Sequence, residues 1–346
     1  MSLPATMQAL LLRRVGCVEL VEVPAPQPGP GEVLVRTMAT TICTSDLRDI
    51  AENPFGAPLP RVLGHEGAGV VAAVGEGVEG LHPGQPVAAH PVIPCRACAN
   101  CLRGLGHLCL QMGHLGLNRD GTFAEYFRIR ADRVLPTPAG IDPAVAALLE
   151  PVAVCLEAIQ RGRVGERDVV LILGDGPFGI LMARLAARRG AGRVILVGRH
   201  EFRLRRASGA LTIHARQTDD VLKAVRQHAG PEGVDVAILC AGSAEAVGLG
   251  LAALRARGRL VVFSAIPQAA TLDLFRLHTQ ELEILGSCND ENCHQAALAL
   301  LTDPELDLGS LVTHRLPLSQ WRRALDLAAR GKDEALKVAL VFGDNQ

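Results

Sequence analysis

Val169-Val170-Leu171-Ile172-Leu173-Gly174-Asp175-Gly176-Pro177-Phe178-Gly179 decides the fold of the second half of this chain. Five consecutive apolar residues, three of them β-branched, read as a strand buried on both faces. The G-x-G-x-x-G that follows leads straight into a helical pattern over 179–189. In such a turn the first glycine permits the tight bend, the second lets a pyrophosphate approach the backbone, and the third lets helix and strand pack closely. Amides at the helix N-terminus then face the phosphates. A glycine-rich turn can simply join a strand to a helix. Directly between a buried strand and a helix it reads as a dinucleotide fingerprint formed by Gly174, Gly176, Pro177, Phe178 and Gly179.

Outward from this turn, strand-like and helix-like patterns alternate. Strands are expected at 194–197, 234–240, 260–264 and 284–286, and helices at 144–160, 221–228 and 244–256. Repeated strand–helix units imply a parallel sheet covered on both faces, an α/β domain. The second strand ends in Val197-Gly198-Arg199-His200, where an NAD site normally places an acidic residue for the ribose hydroxyls. Here Gly198 leaves space and Arg199 supplies positive charge, followed by Arg203, Arg205 and Arg206. A 2′-phosphate would meet a positive field, so NADP(H) is favoured over NAD(H). The competing reading is a solvated basic helix with Glu201 taking the acidic role after a register shift.

Upstream, from 7 to 138, the apolar runs are short and separated by Gly or Pro, as in a β-rich lobe. This lobe carries Cys95, Cys98, Cys101 and Cys109, spaced C-x2-C-x2-C-x7-C, which suits one tetrahedral structural zinc. Iron–sulfur spacings differ and often end in Cys-Pro, whereas Leu110 follows Cys109. A disulfide framework is disfavoured because residues 1–19 lack the features of a secretory signal, so a reducing, cytoplasmic location is expected. A second constellation joins Cys43, the Gly64-His65-Glu66-Gly67 run and Glu150. A thiolate, an imidazole and carboxylates can hold zinc with one position open for water or substrate. Each residue alone has an ordinary structural explanation; the combination points to a catalytic metal.

The 346 residues are 49% hydrophobic, enough for two cores, and carry a net charge of −1. Without a long basic run, binding to a nucleic-acid backbone is not expected. No apolar stretch is expected to reach the length of a membrane span, and the helix after Gly179 is interrupted by Arg184 and Arg188. Later segments, helical near 291–301 and 320–329 with a strand at 338–342, are expected to return to the first lobe.

Together with Asp120-Gly121-Thr122-Phe123-Ala124-Glu125-Tyr126 and Glu150-Pro151, these motifs resemble the zinc-containing medium-chain dehydrogenase/reductase superfamily, in particular its sorbitol and threonine dehydrogenase-like branch. The resemblance covers nearly the whole chain. It implies a GroES-like β-rich catalytic domain from 1–153 and 289–346, with a zinc-binding lobe near 90–112, and a doubly wound Rossmann domain from 154–288. By the same likeness Cys43 and His65 bind a catalytic zinc, Glu66 is a direct or alternating ligand, and Glu150 binds directly or through water, giving two zincs per chain. Asp46 would orient a ligand. The implied reaction is reversible oxidation of a secondary alcohol, a polyol, sugar alcohol, cyclitol or amino alcohol, to a ketone, with hydride passing to the nicotinamide.

Ser45 would carry the departing proton. Many relatives complete that relay with a histidine three positions on, where this sequence has Arg48. An arginine is no proton base near neutral pH, so Arg48 is expected to pair with a cofactor phosphate. The missing histidine also motivates an alternative, a catalytically silent nucleotide-binding sensor or assembly protein; NAD-linked threonine-type oxidation is a further alternative. A homodimer or homotetramer is implied, joined at the edge of the Rossmann sheet near 260–263 and 284–285.

Overall fold

The computed structural model describes residues 3–331 and 333–343. A six-stranded parallel sheet is built around Val169–Leu173. Arg193–Gly198 and then Leu211–His214 lie on one side of it, and Val234–Leu239, Leu254–Val262 and Glu283–Gly286 on the other. In chain order the strands run third, second, first, fourth, fifth, sixth, and the reversal beside the first strand opens a crevice at the strands' carboxyl ends.

The period-2 alternation of a strand explains how both faces are covered. Val170 and Ile172 enter one core with Leu156 and Ile159 of helix Leu149–Arg161 and Ile180 of helix Pro177–Arg188. Leu171 and Leu173 enter the opposite core with Val225 and Val247. The first of these cores continues to Ala39, Ala68, Ala88 and Ala339, so one apolar interior joins this sheet to the rest of the molecule.

A seven-stranded sheet forms the β-rich half. Its order is Val134–Pro136, Pro86–Ala89, Glu66–Val74, Glu32–Thr41, Lys337–Val341, Val312–Pro317, with Tyr126–Arg130 also paired to Glu32–Thr41. Lys337–Val341 runs antiparallel to the upstream strand, with Ala339 opposite Thr41. A three-stranded sheet of Cys17–Pro24, Thr6–Arg14 and Arg61–Val62 completes this half.

Several sequence expectations need correction. The helix expected over 244–256 stops at Ala253, because Leu254 pairs with Val234 and Arg255 binds Asp235 at 2.6 Å, drawing the chain into the sheet. The edge strand Leu211–His214 carries only two strongly apolar residues and was not foreseen. Leu260 and Val261 are fully buried in an interior strand, so of the two segments expected at the dimer edge only Glu283–Gly286 lies at an edge of the sheet. The helical run Pro143–Arg161, 19 residues with a hydropathy of 1.5, does reach spanning length and apolarity, contrary to the expectation above. Of its apolar window 78% is buried, because it lies between the two sheets and contributes to the shared core.

Candidate active site and metal centres

Cys43 caps helix Thr44–Glu52 and donates its backbone N–H to Asp46 Oδ2 at 2.8 Å. The other Asp46 oxygen accepts from His65 Nδ1 at 3.1 Å, which orients the imidazole and leaves Nε2 as its ligand atom. His65 follows Gly64, whose φ is +91° and where a Cβ would meet the Phe123 ring at 2.2 Å, so only glycine fits there. Glu66 begins a strand directly opposite Thr41 and is fully buried. Its carboxylate accepts from the Thr41 hydroxyl and, at 2.6 Å, from Lys337 Nζ. Ligand atoms of Cys43, His65 and Glu66 all lie within 4.8 Å of one another.

Glu150, in the first turn of helix Leu149–Arg161, falls outside that three-residue cluster. It is buried and its Oε2 has no hydrogen-bond partner. Burial raises its carboxyl to about 7, with the charge on Glu66 adding to the shift and that on His65 opposing it. Burial also opposes charge on His65, but the Asp46 carboxylate and the Cys43 sulfur outweigh it and hold the imidazole well above its usual value. A thiol, an oriented imidazole and two buried carboxyls, one with an orphaned oxygen, form a donor set that fits a divalent ion of zinc type. Ser45 is exposed, with its hydroxyl 3.5 Å from His65 Nε2.

The second cluster is closed. Cys95 and Cys101 Sγ lie 3.9 Å apart and Cys98 and Cys109 Sγ 3.8 Å apart, close to the roughly 3.8 Å edge of a tetrahedron with zinc–sulfur bonds of about 2.3 Å. Backbone N–H groups of Ala97 and Cys98 point at Cys95 Sγ, that of Leu110 at Cys98 Sγ, and those of Cys95 and Gln111 at Cys109 Sγ. Such donors favour thiolate, and the backbone N–H groups of Cys101 and then Leu110 draw Cys98 down to about 6. These four residues fit a structural zinc.

The glycine turn lines a groove of about 440 Å³ with Gly198, Arg199, Ser243 and Glu245. Gly174 has φ +124°, nothing would touch a Cβ on Gly176, and a Cβ on Gly179 would lie 1.9 Å from Gly174 O. Pro177 opens the helix, and Phe178 packs edge-on against Phe263 at 5.3 Å. The space at Gly198 is taken by Asp175, 2.4 Å from where a Cβ would sit, so the glycine makes room for that carboxylate. Asp175 Oδ2 accepts from Arg199 N, His200 N and His200 Nδ1.

The basic run is less available than its sequence implies. Arg199 is exposed, but Arg203 is buried and donates to Ala335 O, Arg205 pairs with Glu201, and Arg206 stacks on Phe202. Arg48 lies outside the groove and pairs with Glu52 at 3.2 Å. A larger cleft, about 860 Å³, runs past Met7, Pro60 and Tyr126 and touches none of the metal-cluster or glycine-turn residues.

Known proteins resemble this chain along most of its length. Residues 29–139 match the alcohol dehydrogenase GroES-like domain, and residues 177–303 match the zinc-binding dehydrogenase family. L-threonine 3-dehydrogenase of Pyrococcus horikoshii is 33% identical over 91% of this chain and 92% of its own. Sorbitol dehydrogenase of Bombyx mori is 31% identical over 96% and 97%. The chain belongs to the zinc-containing medium-chain dehydrogenase/reductase superfamily. Within it, this protein lies in the sorbitol and threonine dehydrogenase-like branch and is a zinc-dependent, nicotinamide-linked oxidoreductase. A Sinorhizobium meliloti chain assigned as a zinc-binding dehydrogenase and solved with NADP superposes on this one with a TM-score of 0.92, at 31% identity, over 98% of this chain and 100% of the other.

Two site residues of this dehydrogenase escaped the sequence reading. Lys337 is 2% exposed, and burial works against its charge; the Glu66 carboxylate outweighs that and raises its pKa. The available signal was a lysine heading an otherwise apolar strand. The His114 ring lies 5.6 Å from that of His65, tilted by 58°, and donates from Nδ1 to Leu115 O at 2.7 Å. Burial first, and then the neighbouring His65 charge, lower it to about 4, so it is neutral at neutral pH. Nothing in its local sequence marked it.

Proposed function

We propose that this enzyme reversibly oxidises a secondary alcohol of the polyol, sugar-alcohol, cyclitol or amino-alcohol class, with NADP(H) preferred and two zincs per chain. The observation that carries the reading is the Cys43–His65–Glu66 cluster beside the orphaned Glu150 oxygen, on the same polypeptide as a glycine-turn nucleotide groove. When bound, zinc polarises the substrate hydroxyl so that hydride can leave toward the nicotinamide. Asp46 presents His65 Nε2, and Lys337 neutralises Glu66. Glu150 supplies a direct or water-mediated contact, and Ser45 is the exposed hydroxyl through which the substrate proton leaves. Arg48, which lies on Glu52 at 3.2 Å, is the cation proposed to pair with a cofactor phosphate. Cys95, Cys98, Cys101 and Cys109 hold the second zinc. The working domain division remains 1–153 with 289–346 against 154–288.

NADP(H) preference rests on exposed Arg199 at the groove. NAD(H) is the second reading, favoured by Asp175 and Glu245, which line the same groove. A homo-oligomer through Glu283–Gly286 is supported by the exposed apolar residues Leu272, Leu274, Phe275 and Ile284 on and near that free edge. A cytoplasmic location fits ten free cysteines. The test is absorbance-followed turnover of a panel of polyols, cyclitols, amino alcohols and simple secondary alcohols with NADP+ and NAD+, against a Cys43→Ser blank. Activity absent from the blank supports the reading and reports the cofactor. Silence across the panel in zinc-replete protein overturns the substrate assignment.

A further inference from the structure

A third group of metal-type donors lies where the four-cysteine lobe, helix Leu149–Arg161 and the 287–294 segment meet. Ligand atoms of His107, Glu157 and Glu291 fall within 4.8 Å of one another. His107 is buried in the short helical turn Gly106–Leu108, just before Cys109. Its Nδ1 is sealed from solvent without a hydrogen-bond partner, and among the described residues neither of its ring nitrogens bonds to the protein. Glu157 is 4% exposed, and its carboxylate accepts only weak donors, Glu291 N at 3.3 Å and the Cys293 thiol at 3.7 Å. No lysine or arginine among the described residues pairs with Glu157 or Glu291.

A buried carboxylate, a second carboxylate beside it and an imidazole with both nitrogens free leave a local deficit of positive charge and of donors. A neighbouring group shows what a self-sufficient cluster looks like. His90, Asp290 and His294 also have metal-type spacing, but Asp290 accepts from His90, from Cys293 N at 2.9 Å and from His294 at 3.4 Å, while Arg133 donates to the other nitrogen of His90. In that network the carboxylate is saturated and both nitrogens of His90 are bonded, although Arg133 Nε is left without a partner. His107 and Glu291 share with it an open cavity of about 210 Å³, through which an ion can enter.

We propose that His107, Glu157 and Glu291 form a third cation site, selective for a borderline divalent ion such as zinc, which suits mixed imidazole and carboxylate donors. The ion would clasp the 287–294 segment, already tied to the lobe by Asn289 Nδ2 on His107 O at 2.9 Å, to helix Leu149–Arg161.

The test is zinc binding by the full-length protein, measured by equilibrium dialysis at micromolar free zinc, in wild type, Glu291→Gln and His107→Ala. Glu291 is exposed, so its variant reports the site without disturbing the core. The expected result is one more equivalent in wild type than in either variant, with affinity for that equivalent reduced at least about tenfold in both. Equal counts and affinities in all three proteins overturn the proposal. So does a loss confined to His107→Ala, which would report damage to the four-cysteine lobe. The readout is metal stoichiometry, so it stands whether or not a substrate is in hand.

Discussion

The four-cysteine lobe and the Cys43–His65–Glu66 centre gather metal donors in opposite ways. The lobe draws four sulfurs from fifteen consecutive residues, and their Sγ atoms meet at tetrahedral distances with backbone N–H groups supporting the charge. The open centre takes one donor from a helix cap, two from the start of a strand, a nearby carboxyl from another helix and a buried counter-charge from residue 337. The first is specified by local spacing and can be complete before the rest of the fold. The second exists only once Lys337–Val341 has paired with Glu32–Thr41 in the seven-stranded sheet and helix Leu149–Arg161 has packed beside it. A site that must keep one coordination position free has to be held open by surrounding structure, and that structure comes from far along the chain.

Substitutions can break this contrast. Cys43→Ser should cut kcat/KM by about a thousandfold or more while circular dichroism stays unchanged, since it removes a donor at the reacting end. A variant that keeps turnover would remove the open centre from the chemistry. Lys337→Met strands the buried Glu66 carboxylate and should cost about 3–5 kcal/mol in denaturant unfolding of metal-free protein. Added zinc should recover part of that loss, because it supplies positive charge at the same carboxylate. Cys98→Ser should lose one zinc and speed amide exchange across residues 95–112 on the order of a hundredfold, with protection in both sheets retained. Exchange spreading into the sheets would mean that the lobe is not locally autonomous.

The arginines after the second parallel strand sharpen the same lesson on a smaller scale. Arg203→Ala should lower stability by about 1.5–3 kcal/mol, through loss of its bonds to Ala335 O, and leave the NADP(H) to NAD(H) preference unchanged. Arg199→Ala should raise KM for NADP(H) by about tenfold and leave that for NAD(H) unaltered, in steady-state assays with each cofactor. Unchanged KM for NADP(H) would sink the NADP(H) assignment.

What could be read from the sequence follows this division between near and far. The glycine turn, the buried strand before it and the cysteine spacing are local patterns, and the structure realises each where its residues predict. The surroundings of Gly198 and Arg203 are not legible locally because both depend on partners outside their own segment, Asp175 at 24 or more residues for the neighbouring amides and Ala335 at 132. The Glu66–Lys337 pair spans 271 residues, and no periodicity reports such a contact. Pro143–Arg161 is the reverse case: the sequence reading found no stretch of spanning length, the helix reaches it, and its neighbours on both sides account for its apolarity.

The long separation of Glu66 from Lys337 also sets an order of events during synthesis. The strand bearing Glu66 leaves the ribosome before any of the nucleotide-binding sheet has been translated, and the lysine emerges only after all of it. Until then the nascent chain carries an acidic residue destined for full burial with no cation to accompany it. With two zincs per chain as proposed above, the lobe could load its ion early and the reacting centre would be finished last, so a polypeptide stalled midway could hold one metal yet be unable to close the pocket proposed for the chemistry.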